Sequence, residues 1–134
     1  MTTKIVIVLA AALPAPTAAN TAALLALSIG AKHPEIIGED IPDADGNIHR
    51  GISGVPVPVL TTPQRELAAL AASAQDLGLD VVDFTSTAGR ARTYDGYTAA
   101  MAATPTTDLD YRGLAIIGDK KVVTSLTGAL PLLR

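Results

Sequence analysis

Two short segments of this chain combine side chains that could hold an anion. In the first, residues 85–87 supply three hydroxyls, and Arg90 and Arg92 follow closely. In the second, Lys120 and Lys121 lie at the predicted start of a helix, where positive charge opposes the helix dipole by roughly 0.3–1 kcal/mol. An anion bound to the free N–H groups of that turn would remove the conflict. The alternative is that both lysines are simply solvated.

The sequence carries no recognisable catalytic or metal-binding motif. It has no cysteine, which excludes disulfides, zinc–thiolate sites, iron–sulfur clusters and cysteine nucleophiles. His33 and His49 lack a second ligand at metal-binding spacing, and Asp43, Asp45 and Gly46 do not fit a calcium loop. No Walker loop, Gly-x-Gly-x-x-Gly or Gly-x-Ser-x-Gly motif occurs. We therefore predict no metal, no cofactor and no catalytic residue.

Composition argues against nucleic-acid binding and for one domain. The formal net charge is -3, and the four aromatic residues form no visible stacking platform for bases. A length of 134 residues suits a single domain over residues 1–134.

The apolar run from Ile5 to Ala12 is short and ends before Pro14, so it indicates a buried strand rather than a signal peptide. With no stretch of membrane-spanning length, we expect a cytoplasmic protein.

Alternating strand and helix patterns must position these groups. Strands are predicted over residues 5–9, 55–60, 79–84 and 114–117, and helices over residues 17–29, from Thr62-Pro63 to Gly78, from Thr93 to Thr104, and over residues 120–126. Asp45-Gly46 marks an inserted β-hairpin, and Pro56 and Pro58 place their strand at a sheet edge. The fold class is α/β: a mixed, roughly four-stranded sheet with helices on both faces. Residues 85–92 are predicted to be a polar loop.

The order of these segments resembles the type 2 peptidyl-tRNA hydrolases. The stretches that carry the resemblance are Lys4-Ile5-Val6-Ile7-Val8, Ala18-Ala19-Asn20, Leu77-Gly78-Leu79-Asp80-Val81, Ala88-Gly89-Arg90 and residues 118–130. They span most of the chain but not the hairpin around Asp45. The chain resembles still more closely an uncharacterised bacterial family in that superfamily, the domain of unknown function numbered two thousand. This second likeness lies in Pro56-Val57-Pro58-Val59-Leu60, Thr93-Tyr94-Asp95 with Tyr97, and residues 126–133.

The resemblance implies a scaffold without the hydrolase's chemistry. The positions that it assigns to a lysine, an acid and a threonine of the hydrolase hold Pro16, Thr87 and Ala91 here. The hydrolase's helix glutamine is replaced by Asn20, while Gly89 and Arg90 remain.

Three functions fit this pattern. The first is a non-hydrolytic small-ligand-binding or regulatory domain that holds a small anion. Its candidate ligand-binding residues are Asn20, Thr87, Gly89, Arg90 and Lys120, in loops that follow strand ends. The second is a divergent hydrolase or transferase acting on an ester-type or nucleotide-linked substrate, with Ser86 or Thr87 served by Asp83 or Asp95. The third is a structural or assembly protein without a ligand site.

We also expect a homodimer. The first helix is apolar nearly all round and should be buried on more than one side. The hydrolases that the chain resembles also tend to pair. The alternative is that both faces of this helix are buried within one subunit.

We predict no useful peptidyl-tRNA hydrolase activity. Ester hydrolysis needs a proton acceptor and oxyanion stabilisation, which proline and alanine cannot supply and a neutral threonine supplies poorly. The measurement is release of labelled product from a peptidyl-tRNA analogue at low salt, beside a genuine hydrolase. Turnover within about a hundredfold of that control would contradict the prediction, since losing a general base costs about 10²–10⁴-fold.

Overall fold

The apolar runs at residues 5–9 and 114–117 lie in the two central strands of a four-stranded sheet. The computed structural model describes residues 2–134, and its strands are β1 (Thr3–Ala10), β2 (Ile41–Pro42), β3 (Ile48–His49), β4 (Val59–Thr62), β5 (Asp80–Thr85) and β6 (Tyr111–Asp119). Within the sheet the order is β4-β1-β6-β5. Residues 5–10 of β1 are all buried, as expected for a strand covered on both faces.

The sheet is mixed because β6 runs against both of its neighbours. β1 pairs with β4 in parallel, whereas β6 pairs antiparallel with β1 and with β5. The carboxyl ends of β1, β4 and β5 therefore lie at one edge of the sheet, together with the amino end of β6. We call this edge the cleft edge. The carboxyl end of β6 lies at the opposite edge.

Helices cover both faces of this sheet, which confirms the predicted fold class. They are α1 (Ala15–Lys32), α2 (Leu67–Asp76), α3 (Ser86–Arg90), α4 (Tyr94–Ala102) and α5 (Lys120–Thr127), with 3₁₀ turns over Pro34–Ile36, Gln64–Glu66 and Thr106–Asp108. On one face, Leu25 and Ile29 of α1 pack against Ile5 and Ile7. On the other, residues of α2 and α5 pack against the opposite side chains of β1 and β6. No helix within residues 2–134 is both long and apolar enough to cross a membrane.

The inserted hairpin is confirmed as strands β2 and β3. Asp43 Oδ1 accepts from the N–H groups of Asp45 and Asn47 at 3.0 Å, and Asp43 Oδ2 lies 2.8 Å from His49 Nε2. His49 and the turn N–H of Asn47 hold the pKa of the Asp43 carboxyl below its usual value. Gly46 adopts φ 84°, the left-handed conformation that this turn requires. The Asp43 carboxylate thus closes the turn.

The proline-containing strand is shorter than the sequence predicts. It was expected over residues 55–60, but β4 begins at Val59 because neither Pro56 nor Pro58 has an N–H for the ladder. The prediction that this strand is the outermost one on its side of the sheet is confirmed. Its outer side pairs with the end of the chain: Thr61 N donates to Pro131 O, and Leu133 N donates to Val59 O.

Several helix predictions were wrong in detail. Residues 86–90 form the short helix α3 rather than a loop, since the Thr85 hydroxyl accepts from Ala88 N and caps it. Helix α1 begins before Thr17 and continues past Gly30, because a proline is tolerated in a first turn and Gly30 does not adopt positive φ. Thr62 belongs to β4 and caps no helix; the 3₁₀ turn Gln64–Glu66 precedes α2 instead.

Within one chain, helix α1 is not buried on more than one side. Only one side of the helix is buried, through Ala18, Thr21, Leu25 and Ile29. On its outer side Leu27 is 70% exposed. The apolar composition of α1 therefore leaves a second apolar face in contact with solvent.

Helix α1 lies close to the sheet because Gly113 of β6 has no side chain. A Cβ atom at Gly113 would lie 2.9 Å from Leu9 Cδ2, 3.1 Å from Leu25 Cδ1 and 3.1 Å from Thr21 Cγ2. These neighbours are buried in the packed layer between α1 and the sheet. Any larger residue at position 113 must displace these packed side chains.

We predict that Gly113→Ala lowers the free energy of unfolding by about 1–3 kcal/mol, the usual cost of overpacking a core. The matched control is Gly30→Ala in α1, where an added Cβ would meet nothing within 4 Å. That change should raise stability by roughly 0.5–1 kcal/mol, because alanine is the better helix former. Urea denaturation measures both values. Equal effects of the two substitutions would contradict the close packing of α1.

Candidate functional site

A cavity of about 380 Å³ opens at the cleft edge of the sheet. The first turns of α1 form one wall through Pro16, Thr17, Asn20 and Thr21. Phe84 at the end of β5, residues Ser86, Gly89 and Arg90 of α3, and Arg112 of β6 form the rest. We call this space the arginine cavity. It lies where ligands usually bind in open α/β sheets, beyond the carboxyl ends of parallel strands.

A β-bulge brings Arg112 into this cavity. Phe84 pairs with Gly113 and Thr85 pairs with Tyr111, so Arg112 is an extra residue opposite that step. Without the bulge, strand alternation would put Arg112 and Gly113 on opposite faces of the sheet. Instead Tyr111 is buried in the core on the α2 side, while Arg112 lines the cavity beside α1.

Asp110 connects the elements around the cavity. Its Oδ2 accepts from Arg112 Nε at 3.4 Å, and its Oδ1 accepts from Gln64 Nε2 at 2.7 Å. Its backbone oxygen accepts from Ser86 N at 2.9 Å, at the start of α3. One residue thus holds the Arg112 side chain and anchors the helix that carries Arg90.

Arg90 is the uncompensated charge of the arginine cavity. Among residues 2–134, its guanidinium has neither an ion pair nor a side-chain hydrogen bond, whereas Arg112 is partly neutralised by Asp110. Within residues 2–134, no carboxylate lines the cavity itself. The first turn of α1 contains no acidic residue, so the positive end of its dipole is also uncompensated there.

The wall of the cavity contains a buried hydroxyl without a partner. Thr21 is 0% exposed, and its Oγ1 makes no hydrogen bond within residues 2–134. No other buried side-chain nitrogen or oxygen in that part of the chain lacks a partner. The methyl group of Thr21 is the branch that approaches Gly113, which leaves the hydroxyl to the other side of the residue. Burying an unpaired hydroxyl costs about 1–3 kcal/mol, so Thr21 lowers the stability of the folded chain.

A second cavity, of about 390 Å³, adjoins the first and shares Phe84 with it. Tyr94 and Tyr97 of α4 line it together with Asp83, and we call it the tyrosine cavity. Desolvation raises the pKa of the Asp83 carboxyl. Desolvation and the nearby Asp83 charge raise the pKa of the Tyr97 hydroxyl as well.

The family described as "Protein of unknown function (DUF2000)" matches residues 3–134. The chain belongs to this family. A solved structure of a protein of unknown function from Agrobacterium tumefaciens strain C58 has a similar fold, with a TM-score of 0.90 at 23% sequence identity. That alignment covers 100% of this chain and 99% of the other. No curated protein matches the chain.

This member of the DUF2000 family brings together three of the five predicted ligand-binding residues. Asn20, Gly89 and Arg90 line the arginine cavity. Thr87 is buried and does not line it. Lys120 lies at the opposite edge, since β6 is antiparallel and α5 begins where that strand ends. The sequence analysis missed Thr21 and Arg112; finding the second would have required both the true direction of β6 and its bulge.

The catalytic arrangement required by a hydrolase is not seen around the hydroxyls of α3. Ser86 lines the arginine cavity, but within residues 2–134 neither Asp83 nor Asp95 hydrogen-bonds to Ser86 or Thr87. The same part of the chain holds no group of three His, Asp or Glu side chains that could share a metal ion. Neither hydroxyl therefore has, in that part of the chain, a carboxylate hydrogen-bonded to it that could serve as its base.

We predict that Thr21→Val raises the free energy of unfolding by about 1 kcal/mol, because valine keeps the shape and removes the unpaired hydroxyl. Thr127→Val is the matched control: Thr127 is equally buried, but its hydroxyl donates to Val123 O at 2.8 Å. The control should lose stability, by about 0.5–1.5 kcal/mol for the missing bond. Urea denaturation of both variants gives the comparison. A loss at position 21 as large as at position 127 would show that the Thr21 hydroxyl has a partner.

Proposed function

We propose that this protein is a non-hydrolytic binding or regulatory domain that holds a small anion in the arginine cavity. The observation that carries the proposal is the Arg90 guanidinium, which has no ion pair among residues 2–134 and lines a cavity together with Arg112. Within the same residues, no carboxylate lines that cavity. Two positive charges at one cavity repel each other, and a bound anion relieves that repulsion.

A phosphate or carboxylate suits the groups around this cavity. The planar guanidinium presents paired N–H donors that match such an anion in two-point contact. Asn20 and Ser86 offer further neutral donors at the rim, and the start of α1 adds its dipole.

The test is to titrate the protein with inorganic phosphate at constant ionic strength and to measure its melting temperature at each concentration. A bound ligand raises that temperature by mass action. Arg90→Ala should weaken the apparent affinity by about tenfold or more, since a hydrogen bond to a charged group is worth roughly 1.5–3 kcal/mol. The matched control is Arg65→Ala, an exposed arginine that lines neither cavity and should leave the affinity unchanged. Equal affinities of the unaltered protein and Arg90→Ala would place the anion elsewhere.

We further propose that two copies pair through the outer face of α1. Ala19, Ala23 and Leu27 follow one another at four-residue spacing on that exposed face, and α1 contains no charged residue before Lys32. An exposed apolar helix rich in alanine lets a second helix approach closely, and an isologous pair would bury both faces at once.

Light scattering coupled to gel filtration should give twice the 13.7 kDa mass of one chain at micromolar concentration. Leu27→Lys should yield a monomer, because it would bury two charges at the shared face. Leu77→Lys is the control, as Leu77 is also exposed but follows α2. A monomeric mass for the unaltered protein would rule out this pairing.

A further inference from the structure

Aromatic residues are concentrated beside the arginine cavity. Of the four in the chain, Phe84, Tyr94 and Tyr97 line the tyrosine cavity, whereas Tyr111 is buried in the core. Tyr94 is 79% exposed, and its ring stands edge-on to that of Tyr97 with centroids 5.5 Å apart. Neither the exposed ring of Tyr94 nor the half-buried ring of Tyr97 belongs to the packed core. They present aromatic faces and edges to whatever enters the cavity.

The two cavities lie side by side along α1, and together we call them the groove. Asn20 lines the arginine cavity, and Leu24, one helical turn or about 6 Å further on, lines the tyrosine cavity. Phe84 belongs to the walls of both. On the opposite side, Arg90 of α3 lines the arginine cavity and Arg92, just after that helix, lines the tyrosine cavity. This proximity makes the two cavities candidates for a single ligand.

Charge is distributed unevenly along this groove. The arginine cavity contains Arg90, which is unpaired among residues 2–134, and Arg112, which Asp110 partly neutralises, so its net charge attracts an anion. The tyrosine cavity contains Asp83, which repels an anion, beside Arg92 and the aromatic rings. A ligand lying along the groove is thereby oriented: its negative group lies among the two arginines and its uncharged portion against the tyrosines.

We propose that the two cavities form one site for an anion that carries a planar aromatic ring, with the ring against Tyr94 and Tyr97 and a phosphate or carboxylate between Arg90 and Arg112. This inference rests on the proposed anion site and adds the chemical class of its ligand. A nucleoside monophosphate and a simple aryl phosphate share this chemistry.

The experiment compares adenosine 5′-monophosphate, 1-naphthyl phosphate and ribose 5-phosphate, titrated against the full chain by calorimetry. The two ring-bearing phosphates should bind more tightly than ribose 5-phosphate by about three- to tenfold, the usual gain from one aromatic contact. A gain for only one of them would identify that ligand as the better representative of the class. Tyr94→Ala should remove the gain and leave the affinity for ribose 5-phosphate unchanged. Since Tyr94 is exposed, this substitution should not unfold the protein.

Two controls separate the ring from other effects. Tyr97→Phe keeps the ring and should keep the gain, and Leu77→Ala removes an exposed apolar side chain outside both cavities. If all three phosphates bind equally and all depend on Arg90, the ring inference is wrong and the anion site stands. If ribose 5-phosphate does not bind or ignores Arg90→Ala, the anion site itself is wrong and the ring inference falls with it.

Discussion

The candidate site depends on the direction and register of β6. Because this central strand is antiparallel to β1 and β5, its amino end lies at the cleft edge, beside the carboxyl ends of the parallel strands. The bulge then turns Arg112 toward α1, and Asp110 just before the strand anchors the start of α3. A parallel β6 would have brought Lys120 to the cleft edge in place of Arg112. The positive charge of the cavity is thus a consequence of strand pairing.

The second constraint is the close approach of α1 to the sheet. Gly113 allows it, and the helix in turn brings Thr21 into the cavity wall and places its own first turn at the mouth. This packing leaves two features that lower the stability of the free chain. A valine at position 21 would avoid the unpaired hydroxyl, and a smaller apolar outer face on α1 would expose less apolar surface to water. Such features are typical of residues kept for contact with another molecule.

The sequence predicted the elements better than their arrangement. The strands, the hairpin and the outer position of β4 have local causes in the sequence, so they could be predicted. These causes are the continuous apolar runs, the Asp45-Gly46 turn, and the prolines Pro56 and Pro58. The direction of β6 has no local cause, because an antiparallel central strand and a parallel one have the same apolar pattern. For that reason Lys120 was grouped with Arg90 although they lie at opposite edges. Nor could the bulge be predicted, and with it Arg112, since register is set by pairing between distant segments.

The central claim is that an anion binds at the cleft edge and not at the opposite one. The most direct measurement is a phosphate titration of ¹⁵N-labelled protein, with amide chemical shifts followed residue by residue. We expect the changes to cluster at residues 17–21, 86–90 and 112, with the amides of Lys120 and Lys121 unaffected. Changes confined to the start of α5, or no saturable change at all, would contradict it.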